Sequence, residues 1–153
     1  MSMFEPSRSA WNGRMLSVLR IVAGLLFLEH GTQKVLGFPP SPMMPTPVEI
    51  GSLLGVAGTI EIIGGVAIIL GLFTRPVAFV LAGEMATAYF TQHFPRSFFP
   101  VNSGGELAVL YCFTFLYFIF AGAGPWSLDA KIAGSRGSKQ SGDASRERIH
   151  SAA

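Results

Sequence analysis

Four apolar stretches, separated by short polar or proline-rich connections, dominate the chain. They predict helices at about 15–36, 50–73, 76–94 and 104–123. At 1.5 Å per residue the first helix reaches about 33 Å, enough to cross a hydrocarbon core of about 30 Å. The connection at 37–48 contains five prolines and cannot be helical. The pattern therefore predicts an all-α protein, built as a four-helix transmembrane bundle.

The second apolar stretch carries a stripe of glycines that is typical of close helix packing. Gly51, Gly55, Gly58 and Gly65 recur at helical spacing, and small residues at such spacing let two backbones approach closely. Glu61 lies beside this stripe, so its side chain is expected to point into the bundle. The link 74–76 is so short that the second and third helices are expected to be antiparallel neighbours.

Composition and charge support a membrane protein. The chain is 50% hydrophobic and only 13% charged, against about 25% in soluble domains. Its basic residues crowd into the two terminal segments and the link at Arg75, and this places both termini in the cytoplasm by the positive-inside rule. A net charge of +2 with this distribution concerns topology and gives no reason to expect a nucleic-acid partner.

The predicted organisation is a cytoplasmic N-terminal segment at 1–13, a membrane domain at 14–129 and a disordered cytoplasmic tail at 130–153, rich in Ser, Gly and Ala. The first stretch is expected to be an uncleaved span, because no small-x-small cleavage site follows it. The single cysteine, Cys112, excludes an intramolecular disulfide and a CxxC pair, and is expected to be a packing residue.

Ionisable and amide side chains within or at the edges of the apolar stretches are the candidate functional residues. A charge at bilayer depth costs about 2.5–3.5 kcal/mol on insertion scales, so several are tolerated only where they face one another. We expect all of them except Arg20 to converge on an inner pocket between mid-membrane and the outer mouth. The set comprises Arg20, Glu29, His30, Gln33, Lys34, Glu61, Glu84, His93 and Glu106.

Different roles are predicted within this set. The catalytic candidates are Glu29, His30, Glu61, Glu84 and His93. The ligand-binding candidates are His30, Gln33, Lys34, Glu61, Glu84 and Glu106. Arg20, toward the cytoplasmic side, is predicted to form a structural ion pair with Glu84 or Glu61.

Structural readings of the same residues stay open. In a purely structural interpretation, Glu61 and Glu84 pair with Arg20 and Lys34 and fix the register of the bundle, without binding a ligand. Glu106 can be simply a first-turn acid of a helix capped by Asn102 or Ser103, and His93 an interfacial residue without a role. No metal site is predicted, because the histidines and acids lack HxxxH or ExxH spacing.

Several ordered motifs resemble the DoxX family of small bacterial membrane proteins. They are RIVAGLLFLEHGTQK at 20–34, GTIEIIGG at 58–65, LGLFTR at 70–75, HFP at 93–95, NSGGE at 102–106 and WSLD at 126–129. Ser103 departs mildly from the usual Asn-Gly-Gly-Glu-like run. The resemblance, over about 14–130, implies a multi-pass protein of the bacterial inner membrane. Some family members are linked to quinone-dependent sulfur oxidation and others to assemblies that handle oxidative or thiol stress.

Three functional hypotheses follow from the sequence. In the first, the protein is a membrane redox component that binds a quinone among His30, Lys34, Glu61 and Glu84. Electrons would come from a soluble redox-enzyme partner, since the chain has no haem, flavin or iron–sulfur motif. In the second, it is a non-catalytic scaffold that recruits soluble partners. In the third, it is a small transporter or proton path, for which four spans are few unless the chain forms a homo-oligomer.

Overall fold

The structure, a computed structural model, describes residues 5–42 and 46–135, with side chains described from residue 10 onward within these ranges. This part of the chain is all-helical, as predicted. The helices are α1 (Glu5–Leu36), α2 (Leu53–Leu70), α3 (Thr74–Ala88), the short α4 (Pro100–Ser103) and α5 (Glu106–Ala121). A π-helical turn, Tyr89–His93, continues α3, and a further helical segment occupies 128–135.

Several helix boundaries differ from the predicted ones. α1 begins ten residues before the predicted position 15, at Glu5. α2 ends at Leu70 because Gly71 adopts the left-handed conformation at φ 65° and its N–H caps the helix. The link to α3 is therefore 71–73, since α3 already begins at Thr74.

Two further features differ from expectation in the C-terminal half of the chain: the start of α5 and the conformation of residues 130–135. Asn102 and Ser103 belong to α4, and Gly105 is the N-cap of α5. Residues 130–135, predicted as the start of a disordered tail, are helical. The predicted tail from 136 onward, the first residues of the N-terminal segment and positions 43–45 lie outside the described residues.

Helices α1 and α2 pack as an antiparallel pair whose contact depends on glycines. Gly24 lies against Ile69, and further along the pair Gly31 lies against Gly58 and Ile62. A Cβ atom on Gly31 would stand only 2.7 Å from the Gly58 carbonyl oxygen and 2.8 Å from the Ile62 nitrogen. Gly58, on the predicted stripe of α2, thus permits the close approach that its spacing indicated.

We expect Gly31→Ala to destabilise the protein by about 1–3 kcal/mol, because backbone atoms of α2 block the added methyl group. Gly83→Ala is the matched control in α3, since no atom lies within 4 Å of a Cβ built there. That variant should be neutral or stabilised by up to about 1 kcal/mol through helix propensity. Thermal unfolding in detergent micelles, followed by circular dichroism, measures both. Equal melting temperatures for the two variants would show that the α1–α2 contact is looser than described.

A compact aromatic and aliphatic core joins the helices. Phe27 of α1 contacts Tyr111 and Phe115 of α5, with ring centroids 5.2 and 4.9 Å apart. Ile68 of α2 and Leu81 of α3 are also buried in this cluster. Burial of such side chains contributes about 1.5–3 kcal/mol each in water, and in lipid the same contacts act through close packing.

The outer surface of the helices is apolar. Large hydrophobic side chains such as Leu53, Phe79 and Phe120 are 76%, 69% and 79% exposed. Contiguous apolar surface of this kind is unusual for a soluble monomer and typical of contact with lipid. Two helical stretches, Ala10–Leu36 and Leu53–Leu70, are long and apolar enough to cross a membrane, and Glu106–Ala121 is a shorter apolar helix.

The helices associate as two pairs, α1 with α2 and α3 with α5, while α2 and α3 share a smaller contact. α2 and α3 run antiparallel, since Gly64 of α2 lies against Leu81 of α3 and Glu61 and Glu84, further from the link, line one groove. This smaller contact leaves an open seam along the α2–α3 boundary.

Candidate functional site

Arg20 is fully buried, but the structure gives it partners other than the predicted carboxylates. Its guanidinium donates to the carbonyl oxygens of Ala123 at 2.8 Å, Ile69 at 2.6 Å and Trp126 at 2.6 Å, and also to that of Ile68. The prediction of an ion pair with Glu61 or Glu84 is therefore wrong. Arg20 instead binds α1 to the end of α2 and to the segment after α5, an arrangement we call the Arg20 clamp.

Asp129 completes this end of the molecule. Its carboxylate accepts hydrogen bonds from the backbone N–H groups of Phe73 and Thr74, at 2.8 and 2.9 Å, and so caps α3 from a distant part of the chain. The sequence motif WSLD at 126–129 was noted only through the family resemblance. Local sequence patterns did not reveal this role because the cap and the helix lie more than fifty residues apart.

Lys34 and Glu61 form an ion pair at the opposite end of the α1–α2 contact. The Lys34 Nζ atom lies 2.5 Å from Glu61 Oε1, and the Glu61 side chain is 2% exposed. Among the residues whose side chains the structure describes, this is the one salt bridge. The sequence had offered this pairing as one of the open alternatives.

Glu84 of α3 lies across the α2–α3 seam from this pair. Lys34, Glu61 and Glu84 line one groove of about 350 Å³, and the Glu84 carboxyl is within electrostatic range of both partners. Thr91, two helical turns after Glu84, lines the groove as well. The sequence did not single out Thr87 and Gln92 as lining residues, since a groove between two helices depends on how far they separate.

Three carboxylate oxygens in this groove are buried without a hydrogen-bond partner. They are Glu61 Oε2 and both oxygens of Glu84. Buried polar atoms are nearly always satisfied, and leaving one unpaired costs about 1–3 kcal/mol. The groove is therefore a place where an incoming donor would be favoured.

The predicted residues at the end of α1 lie outside the lining of this groove, except for Lys34. His30 packs edge-on against Tyr111, with ring centroids 5.9 Å apart. Gln33 donates to the Pro39 carbonyl oxygen at 3.2 Å and so holds the proline-rich connection. Glu29 is exposed, and its backbone carbonyl accepts a hydrogen bond from the Thr32 hydroxyl at 3.1 Å.

His93 and Glu106 are also separate from the groove. His93 Nδ1 makes a 2.9 Å hydrogen bond with the Ser103 carbonyl oxygen, and its ring stacks on Tyr89. Glu106 is an exposed residue in the first turn of α5. Within the described residues, no group of three or more His, Cys, Asp and Glu side chains could hold a metal ion.

An apolar hollow continues from the groove along the α2–α3 seam. It has a volume of about 320 Å³ and shares Ile60 and Val80 with the groove. Gly64 forms part of its wall. Together the two cavities make a site that is polar at one end and apolar along the rest of its length.

The apolar outer surface and the long helices define a helical membrane protein. The family model for DoxX matches residues 15–94, more than half of the chain. The chain belongs to the DoxX family of membrane proteins.

The chain is also similar to an uncharacterized protein of Haemophilus influenzae. The two are 50% identical over 120 residues, which is 76% of this chain and 90% of that relative. No solved structure matches the chain.

Proposed function

We propose that this protein is a four-span component of the bacterial inner membrane that binds a quinone in the α2–α3 groove, as part of a quinone-linked oxidoreductase system. The observation that carries the proposal is the set of three buried, unpartnered carboxylate oxygens beside the Lys34–Glu61 pair. An ion pair that only stabilises the fold gives no reason to bury further carboxylate oxygens without hydrogen-bond partners. A ligand site does, because its polar groups are completed only when the ligand is bound.

The apolar hollow supports the choice of a lipophilic ligand. A quinone carries a polar head and a long hydrocarbon chain, and the site has the same division along its length. Glu61 lies at the ninth position of the eighteen-residue candidate span Leu53–Leu70. This depth suits a ligand that enters from the bilayer.

The proposed chemistry is the two-electron reduction of the bound quinone, which takes up two electrons and two protons to give the quinol. A soluble redox-enzyme partner supplies the electrons. In this proposal the groove residues bind and orient the head group, and Glu84, whose buried carboxyl oxygens have no hydrogen-bond partner, passes protons to the oxygens of that head group.

The topology belongs to the same proposal. Both termini face the cytoplasm, which places the Arg20 clamp on the cytoplasmic side and the groove toward the outer half of the membrane. Arg75, in the first turn of α3, then lies on the cytoplasmic side, as the positive-inside rule requires.

A groove-filling substitution tests the binding site. Val80 lines both cavities, so Val80→Trp should weaken binding of a decyl-substituted benzoquinone by at least about tenfold. Phe79→Trp is the matched control, because Phe79 is 69% exposed and lines neither cavity. Equilibrium binding to the purified protein in nanodiscs gives both dissociation constants.

The scaffold hypothesis predicts a different outcome in the same assay. The wild-type protein would then show no saturable quinone binding, and Val80→Trp would behave like Phe79→Trp. Solvent extraction of the protein purified from native membranes adds an independent check, since a bound quinone would appear in the extract in proportion to the protein.

A further inference from the structure

Three carboxylate oxygens in the groove have no protein donor within hydrogen-bond distance, although the Lys34 ammonium and the Gln92 amide both line it. This lack of donors distinguishes the two redox forms of the ligand. Glu61 Oε2, Glu84 Oε1 and Glu84 Oε2 are all buried and unpartnered. The cationic donor beside them is Lys34, whose ammonium is already bound to Glu61 Oε1 at 2.5 Å. An ammonium has three N–H donors, so at most two remain for a ligand.

The lack of donors persists in either protonation state of Glu84. When Glu84 is ionised, all three oxygens are without a donor. When Glu84 is protonated, its O–H can donate to Glu61 Oε2, and the other Glu84 oxygen is still without a donor. A ligand that only accepts hydrogen bonds therefore leaves at least one buried carboxylate oxygen unpaired in both cases.

Quinone and quinol differ in this property. A quinone head presents two carbonyl oxygens, which only accept. A quinol head presents two hydroxyl groups, and each can donate to a carboxylate while accepting from an ammonium. From this complementarity, and resting on the proposed function, we infer that the groove selects the reduced, dihydroxy form of its ligand over the oxidised form.

This preference for the quinol changes the reduction potential of the bound ligand. Tighter binding of the quinol makes the bound quinone a stronger oxidant than the free quinone. A tenfold preference for the quinol raises the potential of the bound two-electron couple by about 30 mV. The site would thus draw electrons from a partner onto the quinone.

The test compares three ligands of the same chain length on the full-length protein in nanodiscs. They are decyl-hydroquinone, decyl-benzoquinone and the dimethyl ether of decyl-hydroquinone, which retains the ring oxygens and lacks the donors. We expect the hydroquinone to bind at least about tenfold more tightly than either of the others.

Glu84→Gln probes the origin of the preference, because an amide of the same shape replaces one acceptor oxygen with a donor group. The preference for hydroquinone should fall to less than about threefold in this variant. Glu49→Gln, at an exposed position outside the groove, should keep the wild-type ratio.

The outcomes separate the inference from the proposed function. Saturable binding with equal or tighter affinity for the benzoquinone would overturn the selection and leave the quinone site standing. An unchanged ratio in Glu84→Gln would likewise overturn the role of the carboxylate. Absence of saturable binding for all three ligands would overturn both.

Discussion

Replacing Arg20 with methionine is expected to cause a large loss of stability, because its side chain is fully buried. The change leaves the carbonyl oxygens of Ile68, Ile69, Ala123 and Trp126 without their buried donor. A buried carbonyl left without its donor costs about 1–3 kcal/mol, so the loss of these bonds together should cost about 3–5 kcal/mol. Thermal unfolding of the purified protein in detergent micelles, followed by circular dichroism, measures the effect.

The control for this prediction is Arg14→Met on the same helix. Arg14 is exposed and contacts the Trp11 ring at 5.3 Å, an arrangement worth about 0.5–1 kcal/mol. Arg20→Lys should fall between the two, because one ammonium cannot reach all the carbonyls that the planar guanidinium bridges. A melting temperature of Arg20→Met close to that of Arg14→Met would contradict the clamp.

The second large effect is expected for Lys34→Met, which leaves Glu61 buried without its cation and facing the same groove as Glu84. Removal of one partner of a buried ion pair costs about 3–5 kcal/mol. The double variant Lys34→Met/Glu61→Met should be more stable than Lys34→Met alone, because no unpaired charge remains at position 61. The unfolding temperatures of the four proteins in this cycle give the coupling between the two side chains.

Lys131→Met provides the comparison for loss of a lysine at an exposed position, and it should change stability by less than about 0.5 kcal/mol. If the double variant proves less stable than Lys34→Met, Glu61 has another partner that compensates for the missing lysine. The ion pair would then not be the main contact of Glu61.

Much of the fold follows from hydropathy. The apolar stretches correspond to α1, α2, α3 with its π-helical turn, and α5. Glycine spacing predicted a close-packed face of α2, and two glycines of that stripe, Gly58 and Gly65, lie against α1. Gly51 has no atom within 4 Å of a Cβ built there, and Gly55 lies against the preceding loop. Such patterns are repeated along a helix and are therefore visible in a single sequence.

The partners of individual polar side chains were harder to predict. Lys34 and Glu61 were both recognised, and opposite charges have an evident reason to pair. Arg20 was assigned to a carboxylate by the same reasoning, yet it binds backbone carbonyls, which every residue possesses and no sequence pattern marks. Asp129 was missed as a cap for the same reason: its partners are N–H groups of a distant segment.

The predicted cluster was also broader than the one observed. His30, Gln33 and Lys34 are close in sequence, but their side chains take different directions: toward Tyr111, toward Pro39 and toward Glu61. Helical spacing alone gives the arc that a group of residues covers. It does not determine which part of that arc a neighbouring helix will meet.

For the quinone of the proposed function, the open boundary between α2 and α3 sets the route of entry. The rim of the groove includes the exposed residues Leu53, Val56 and Val80, so its mouth lies on the flank of the protein and not at either end of the bundle. A molecule dissolved among the acyl chains meets this mouth by sideways diffusion within the sheet of lipid. Occupancy is then governed by the mole fraction of the lipophile in the bilayer, and its concentration in the surrounding water has little influence.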